Sequence, residues 1–148
     1  DYTGMGTTMV SAVALGDEVY VLNVGDSRAY RITKRKLVQI TRDHSLVQDM
    51  VDRGEISAEE ARTHPRRNVI TRALGVDENV PCDIFKPRLS RGDMLLLCSD
   101  GLTNMLEDRE IFELSKHNPD PLSLGRALMA EALERGATDN VTVVIISK

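Results

Sequence analysis

The run Met94-Leu95-Leu96-Leu97-Cys98 stands between two pairs of turn-forming residues, Gly92-Asp93 before it and Asp100-Gly101 after it. A short, continuous apolar run bounded by turn residues is typical of a strand that is buried on both faces. We therefore predict that residues 94–98 form a central strand of a sheet and that Asp100 lies where this strand ends. Cys98 is predicted to be a small buried apolar residue, and a disulfide with the distant Cys82 is disfavoured.

Four segments before this run are also predicted to be strands, because each is apolar or alternating and each is bounded by turn residues. They are residues 8–15, 18–24, 28–32 and 37–40. Gly16-Asp17 and Gly25-Asp26 supply the first two turns, and Lys34-Arg35-Lys36 lies at the tip before the last strand. We predict that the four strands form one antiparallel meander.

Apolar residues at helical spacing predict helices in the rest of the chain. Ser45 can cap a short helix, and Ser57 with Glu60 has the spacing of a capping box, which begins a second helix that cannot pass Pro65. The other predicted elements are helices at 108–114 and 122–133, the latter stopped by Gly136, and a last strand at 141–146. Strands, then helices, then a returning strand predict an α+β layered domain.

The composition of the 148 residues fits one soluble domain and argues against several classes of protein. Only 3% of the residues are aromatic and none is Trp, so a nucleic-acid platform of stacked aromatic side chains is not expected. Residues 28–72 carry 11 Arg or Lys against 6 Asp or Glu, a basic stretch that we interpret first as a solvated face. Because no apolar run approaches a membrane span and no signal peptide begins the chain, we predict a cytoplasmic protein without membrane contact.

Three acidic residues, Asp26, Asp100 and Asp139, lie at the ends of predicted strands. Hard divalent cations such as Mg²⁺ and Mn²⁺ prefer oxygen ligands, and a rigid sheet would hold such carboxylates in place. Each of the three, taken alone, is more simply a turn residue, because Asp and Gly are common in turns. Their spacing by itself leaves both the turn and the metal site open.

Six short blocks carry a family resemblance. They are Gly4-Met5-Gly6-Thr7-Thr8, Asn23-Val24-Gly25-Asp26-Ser27-Arg28-Ala29-Tyr30, Thr41-Arg42-Asp43-His44-Ser45-Leu46-Val47, His64-Pro65-Arg66-Arg67-Asn68-Val69-Ile70-Thr71-Arg72-Ala73-Leu74-Gly75, Cys98-Ser99-Asp100-Gly101-Leu102-Thr103 and Asp139-Asn140-Val141-Thr142-Val143-Val144. From Gly4 to about Ile146 the chain resembles the C-terminal two-thirds of bacterial metal-dependent protein phosphatases of type 2C (PPM). Each block alone is weak, but six blocks in the family's order are specific.

The resemblance implies a layered α-β-β-α sandwich of antiparallel sheets flanked by helices, with a binuclear Mn²⁺ or Mg²⁺ centre at one end. The implied activity is hydrolysis of phosphoserine and phosphothreonine in proteins, in which a water or hydroxide between the ions attacks phosphorus. Asp100 and Asp139 match ligands of the metal pair, and Asp26 matches a residue that helps to hold a weaker third ion. Asn140 and Gly101 match positions that support these ligands.

The resemblance also identifies parts of the domain. Residues 44–68 resemble the mobile flap beside the active site, whose Arg residues would meet substrate. The family's N-terminal third carries a further acidic ligand, an Asp-Gly-Met-Gly-Gly-His block and a phosphate-binding Arg, and residues 1–148 have no counterpart of these. The abrupt start at Asp1-Tyr2-Thr3 is typical of a truncated domain. We therefore expect a partial phosphatase domain with half of the metal shell. Its substrate-binding residues stay unassigned.

Two functional hypotheses follow from this. In the first, the parent protein is a phosphatase that acts on phosphorylated proteins, with a serine/threonine kinase and its targets as partners, while residues 1–148 alone do not turn over. Free sheet edges would then let this part of the chain associate with itself. In the second, the chain is a pseudophosphatase, a non-enzymatic module whose flap and basic middle bind a partner. Binding to nucleic acid is not expected under either hypothesis.

Overall fold

Seven strands form two antiparallel sheets within residues 4–16 and 18–148, which are the residues that this computed structural model describes. The first sheet has the order β1-β2-β5. Its strands are Met9–Leu15 (β1), Glu18–Val24 (β2) and Asp83–Phe85 (β5). The predictions for Asp1-Tyr2-Thr3, and for Asp17 in the first turn, lie outside the described residues.

The second sheet has four strands in the order β4-β3-β6-β7. They are Arg28–Ile32 (β3), Leu37–Gln39 (β4), Met94–Cys98 (β6) and Val143–Ser147 (β7). All five residues of β6 are buried, and this strand lies between β3 and β7. The prediction of a central strand buried on both faces is therefore confirmed.

The predicted single meander is wrong, because β2 and β3 belong to different sheets. The chain crosses between the sheets at Gly25, whose φ is 111°. Residues other than glycine rarely adopt such a φ. Val21 of β2 and Ala29 of β3 nevertheless pack in the same apolar cluster. The alternation of apolar and polar residues along a strand shows which side chains are buried. It does not show whether the next strand pairs in the same sheet or packs against it in the facing sheet.

The core has two parts, one on each face of the second sheet. Between the sheets, Leu95 and Leu97 of β6 pack with Val21 and Ala29. On the other face, Leu96 and Cys98 pack in a cluster completed largely by residues that follow β6. Its other buried members are Tyr30, Ile32, Met94, Leu102, Leu106, Ile111, Leu124, Leu128 and Ala132. The two cysteines are both free thiols, in agreement with the prediction for Cys98.

Five helices lie within the described residues. They are Leu46–Asp52 (α1), Ala58–Thr63 (α2), Asp100–Thr103 (α3), Asp108–His117 (α4) and Pro121–Glu134 (α5). Ser45 caps α1, and Ser57 forms the predicted capping box with Glu60. Gly136, at φ 75°, follows α5 as predicted. The sequence prediction did not include α3 or β5, and β7 begins two residues after the predicted start.

The helices α3, α4 and α5 contact the second sheet, so that helices and two antiparallel sheets form the predicted α+β layers. The outward face of the first sheet exposes Val13, Leu15 and Ile84. In the second sheet, β7 is an edge strand, and its residues Val144 and Ile146 are 50% and 44% exposed. None of the helices in the described part of the chain is long and apolar enough to cross a membrane.

Candidate metal centre and the adjoining cavity

Asp100 lies directly beyond the buried strand β6, as the first residue of α3. Its side chain is half-buried, and its Oδ2 accepts a hydrogen bond from Asn104 Nδ2 at 3.2 Å. Because β6 is packed on both faces and α3 starts at once, the position of this carboxylate is set by the core. The structure thus confirms the strand end and adds the short helix that turns the chain there.

The loop that carries Asp139 packs directly against the start of α3. A Cβ on Gly101 would stand 2.4 Å from the carbonyl oxygen of Asn140, so only glycine permits this approach. Ser99 joins the same two segments, since its Oγ donates to the Asn140 carbonyl at 3.2 Å and accepts from the Thr142 N–H at 3.0 Å. The ends of β6 and β7 are thereby held side by side.

Asp139 itself is exposed and does not directly precede β7, which begins four residues later. Its Oδ1 accepts a hydrogen bond from the backbone N–H of Asn140 at 2.7 Å. The loop is therefore placed beside Asp100, whereas the Asp139 side chain bonds to the backbone of the next residue. Asp139 does not line the cavity described below.

Asp26 lies in the turn where the chain crosses from the first sheet to the second. Burial, and then the negative charge of Asp100, raise the pKa of Asp26 to about 6. Asp26 and Asp100 are 74 residues apart in the sequence, yet the charge of Asp100 affects the pKa of Asp26. The two carboxylates therefore lie in one site. The structure therefore brings together Asp26 and Asp100, the predicted acids at the ends of β2 and β6.

His44 fixes the turn that carries Asp26. The backbone N–H of Gly25 donates to His44 Nδ1 at 3.0 Å, and the backbone N–H of His44 donates to the Gly25 carbonyl at 2.9 Å. The other ring nitrogen, Nε2, lies 3.1 Å from Asp83 Oδ2 and 2.9 Å from Arg72 Nη1, so His44 also joins this turn to Asp83 and Arg72. Arg72 also donates to Asp83, and these hydrogen bonds, led by that of His44, lower the pKa of Asp83.

A buried ion pair lies beside the acidic site. Arg28 donates through Nε and Nη2 to Asp43, with a shortest distance of 2.7 Å, and through Nη1 to the hydroxyl of Tyr30. Tyr30 in turn donates to Asp108 at 3.0 Å, and burial raises its pKa. Arg28, Asp43 and His44 stand in the family blocks, but none of the three was predicted to be a site residue. For Arg28 the sequence carries one signal, a charged residue at the start of an apolar predicted strand.

A cavity of about 550 Å³ adjoins these groups. Asp26 and Asp100 line it, together with side chains from α1, α2 and the start of α4. Residues of the predicted flap, 44–68, thus line this cavity together with the two acids.

The donor atoms suit a hard divalent ion, although they do not complete a site. Carboxylate oxygens are the preferred ligands of Mg²⁺ and Mn²⁺. A cation between Asp26 and Asp100 would relieve the repulsion that, after burial, is the next cause of the raised pKa of Asp26. Within residues 4–16 and 18–148, however, no three His, Cys, Asp or Glu side chains are grouped closely enough to hold a metal. The described residues by themselves therefore do not form a complete coordination shell.

Comparison with known proteins agrees with this geometry. The sequence pattern of protein phosphatase 2C matches residues 1–134. The serine/threonine phosphatase stp of Listeria monocytogenes is 43% identical over 148 residues, which are the whole of this chain and 59% of that protein. Serine/threonine phosphatase Stp1 from Staphylococcus aureus is 46% identical, with a TM-score of 0.95 over 99% of this chain and 58% of that structure.

A third structure bears on the metal. The catalytic domain of the serine/threonine protein phosphatase PstP in complex with two manganese ions is 37% identical, with a TM-score of 0.86 over 97% of this chain and 59% of that chain. The fold is thus a protein phosphatase fold with an acidic site at one end of its sheets. The chain belongs to the protein phosphatase 2C family. It spans about 59% of the length of the Listeria relatives that it matches.

Proposed function

We propose that this chain forms part of a metal-dependent protein phosphatase that hydrolyses phosphoserine and phosphothreonine in proteins. Family membership supports the class of reaction. The observation that carries the assignment to particular residues is the approach of Gly101 to Asn140, which sets the Asp139 loop beside Asp100, with Asp26 close enough to respond to the charge of Asp100.

In this proposal Asp100 and Asp139 are ligands of a pair of Mn²⁺ or Mg²⁺ ions, and Asp26 helps to hold a third ion. Gly101 and Asn140 position the loops that carry these ligands. Such ions supply an activated water and stabilise negative charge at phosphorus. The contribution of this chain is to hold its carboxylates at the ends of packed strands, and to present the cavity wall formed by the flap, residues 44–68.

Residues 1–148 by themselves are proposed to bind metal weakly and not to turn over, because the described residues gather fewer than three closely grouped ligands. The proposed substrates are phosphorylated proteins. A serine/threonine kinase and its targets are the proposed partners, and the cytoplasm is the proposed location. The alternative, a pseudophosphatase module that only binds a partner, predicts the same fold without any contribution of the three acids to metal binding.

Titration of the purified chain with Mn²⁺, followed by calorimetry and by the EPR signal of free Mn²⁺, tests the proposal. We expect weak binding that Asp100→Asn and Asp139→Asn each reduce at least fivefold, since each removes one charged ligand. Glu78→Gln is the matched control, because Glu78 is exposed and removed from the cavity lining. If Asp100→Asn binds Mn²⁺ as tightly as the unmodified chain does, the assignment of Asp100 as a metal ligand is wrong. Such a result would favour the pseudophosphatase alternative.

A further inference from the structure

Three arginines line the cavity without a salt bridge to a described residue, although Arg109 also faces the charges of Glu110 and Glu113 on its own helix. Arg62 lies in the last turn of α2, Arg67 lies in the turn that follows, and Arg109 lies in the first turn of α4. All three are exposed, and none of them forms an ion pair with another described residue. By contrast, Arg28 and Arg42, which lie nearby in the fold, are both paired with aspartates.

The three guanidinium groups reach the cavity from two separate parts of the fold. Arg62 and Arg67 belong to the flap, residues 44–68, whereas Arg109 belongs to a helix that packs on α5 and contacts β4. A ligand in the cavity therefore meets positive charge from the flap wall and from the α4 wall. Asp26 and Asp100 lie at the acidic end of the same cavity.

Two of the other acidic side chains at the cavity, Asp43 and Asp108, are hydrogen-bonded within the fold. Asp43 binds Arg28, and Asp108 accepts from Tyr30. Glu107 forms the capping box at the start of α4 with Glu110. Glu59 lies one turn before Arg62, a spacing at which helix ion pairs form, yet the two side chains are not paired. The positive charge of the three arginines is therefore available to a ligand.

We propose that Arg62, Arg67 and Arg109 select phosphorylated peptides that carry an acidic side chain next to the phosphorylated residue. This inference rests on the proposed function, which places the phosphate group at the acidic end with its metal ions. The flanking residues of the peptide then lie over the flap and α4 walls. Carboxylates at those positions pair with the arginines, whereas Lys or Arg would be repelled.

The expected size of the preference follows from the exposure of the arginines. An exposed ion pair contributes little by itself because solvent screens it, and three such pairs together amount to about a fivefold change in Kd. Screening also makes the preference depend on ionic strength, and we expect it to shrink between 50 and 300 mM salt as the Debye length shortens to about 6 Å.

The test measures binding of two fluorescent phosphothreonine peptides to the 148-residue chain by anisotropy, in Mn²⁺ and again in EDTA. The peptides differ only in Glu or Gln at the positions that flank phosphothreonine. We expect about fivefold tighter binding of the Glu peptide, and loss of that ratio in Arg62→Gln/Arg67→Gln/Arg109→Gln. The matched control is Arg35→Gln/Arg88→Gln/Arg91→Gln, which removes the same charge from exposed sites outside the cavity lining.

The outcomes separate this inference from the proposed function. If the Glu peptide keeps its advantage in the cavity variant, or never has one, the inference is overturned. The same holds if the unphosphorylated Glu peptide or duplex DNA binds as tightly as the phosphopeptide, because the arginines would then be a general anion surface. If Mn²⁺ changes no affinity while the Glu-to-Gln ratio persists and depends on the three arginines, the metal assignment fails and the arginine assignment stands.

Discussion

Gly101 and the carbonyl of Asn140 are in such close contact that a Cβ on Gly101 would stand 2.4 Å from the oxygen. This single approach sets the loop after α5 beside the start of α3. Glycine is required at position 101 because there is no room for a Cβ. The backbone conformation is not the reason, because the φ of Gly101 is not positive.

Gly101→Ala is expected to destabilise the fold by about 2 kcal/mol, because backbone must move to admit the methyl group. The free energy of unfolding in urea measures this change. Gly125→Ala is the control, since the added Cβ would lie 3.8 Å from Ile145 Cδ1 inside helix α5. There alanine favours the helix, and we expect a gain of about 0.5–1 kcal/mol. Equal stability of the Gly101 variant and the unmodified chain would contradict the close approach.

The raised pKa of Asp26 predicts that the stability of the metal-free chain depends on pH. Its pKa is about 6 in the fold and 3.8 without structure, so the folded state holds a proton that the unfolded state has released between these values. Stability from this group is fully present below about pH 4 and is lost as the pH rises through 6. We expect Asp26→Asn to be more stable than the unmodified chain by about 1–2 kcal/mol at pH 7.5, allowing for solvent screening.

Urea unfolding in EDTA at pH 4 and at pH 7.5 measures this effect. The difference between Asp26→Asn and the unmodified chain should nearly vanish at pH 4, where the native carboxyl is also neutral. Glu78→Gln, at an exposed position, should show no such dependence. A gain for Asp26→Asn that is equally large at both pH values would show that the charge of Asp26 is not its cause.

The Arg28–Asp43 pair predicts a large loss of stability when one partner is removed. Asp43 is 6% exposed and accepts hydrogen bonds from both Arg28 and Gln39. We expect Asp43→Ala to cost about 3 kcal/mol, because the Arg28 guanidinium stays partly buried without its counter-charge. Glu55→Ala, which breaks the exposed pair with Arg53, should cost less than about 0.5 kcal/mol. Similar losses in the two variants would refute a special role of the buried pair.

The free edge at β7 predicts self-association. Residues 141–147 contain no charged residue and no Pro, the features that usually protect edge strands. Ile146 lies opposite Leu95 and is 44% exposed. We expect dimers in sedimentation velocity at tens of micromolar, and monomers for Ile146→Lys. Val38→Lys, on the short edge strand β4, is the control and should leave the association unchanged. A monomeric unmodified chain at all concentrations would exclude this edge contact.

The proposed metal site predicts that the 148-residue chain has no measurable hydrolysis of a phosphothreonine peptide in millimolar Mn²⁺. The reason is that the described residues do not group three ligands. Phosphate release over several hours is the measurement, with Stp1 of S. aureus, whose structure is the longer one, as the positive control. Turnover that Asp100→Ala abolishes would show that these residues suffice for catalysis.

The amino-acid sequence by itself determined six of the seven strands in the described residues, the two helix caps at Ser45 and Ser57, and the buried character of residues 94–98. These features depend on neighbours in sequence, because periodicity and capping act over a few residues. The six blocks also indicated the family, and the family match confirms it. The assignment of Asp26, Asp100 and Asp139 as metal ligands stays a prediction.

Only the tertiary structure decided which strands pair and which side chains meet. In the structure, β3 belongs to the second sheet, because the chain crosses between the sheets at Gly25, and the unpredicted elements β5 and α3 are present. The structure also shows that Arg28 pairs with Asp43. It also brought Asp26 and Asp100 to one cavity and left the Asp139 side chain outside its lining. Local patterns show that a residue is buried, but its partner is selected by packing between segments that are far apart in the chain.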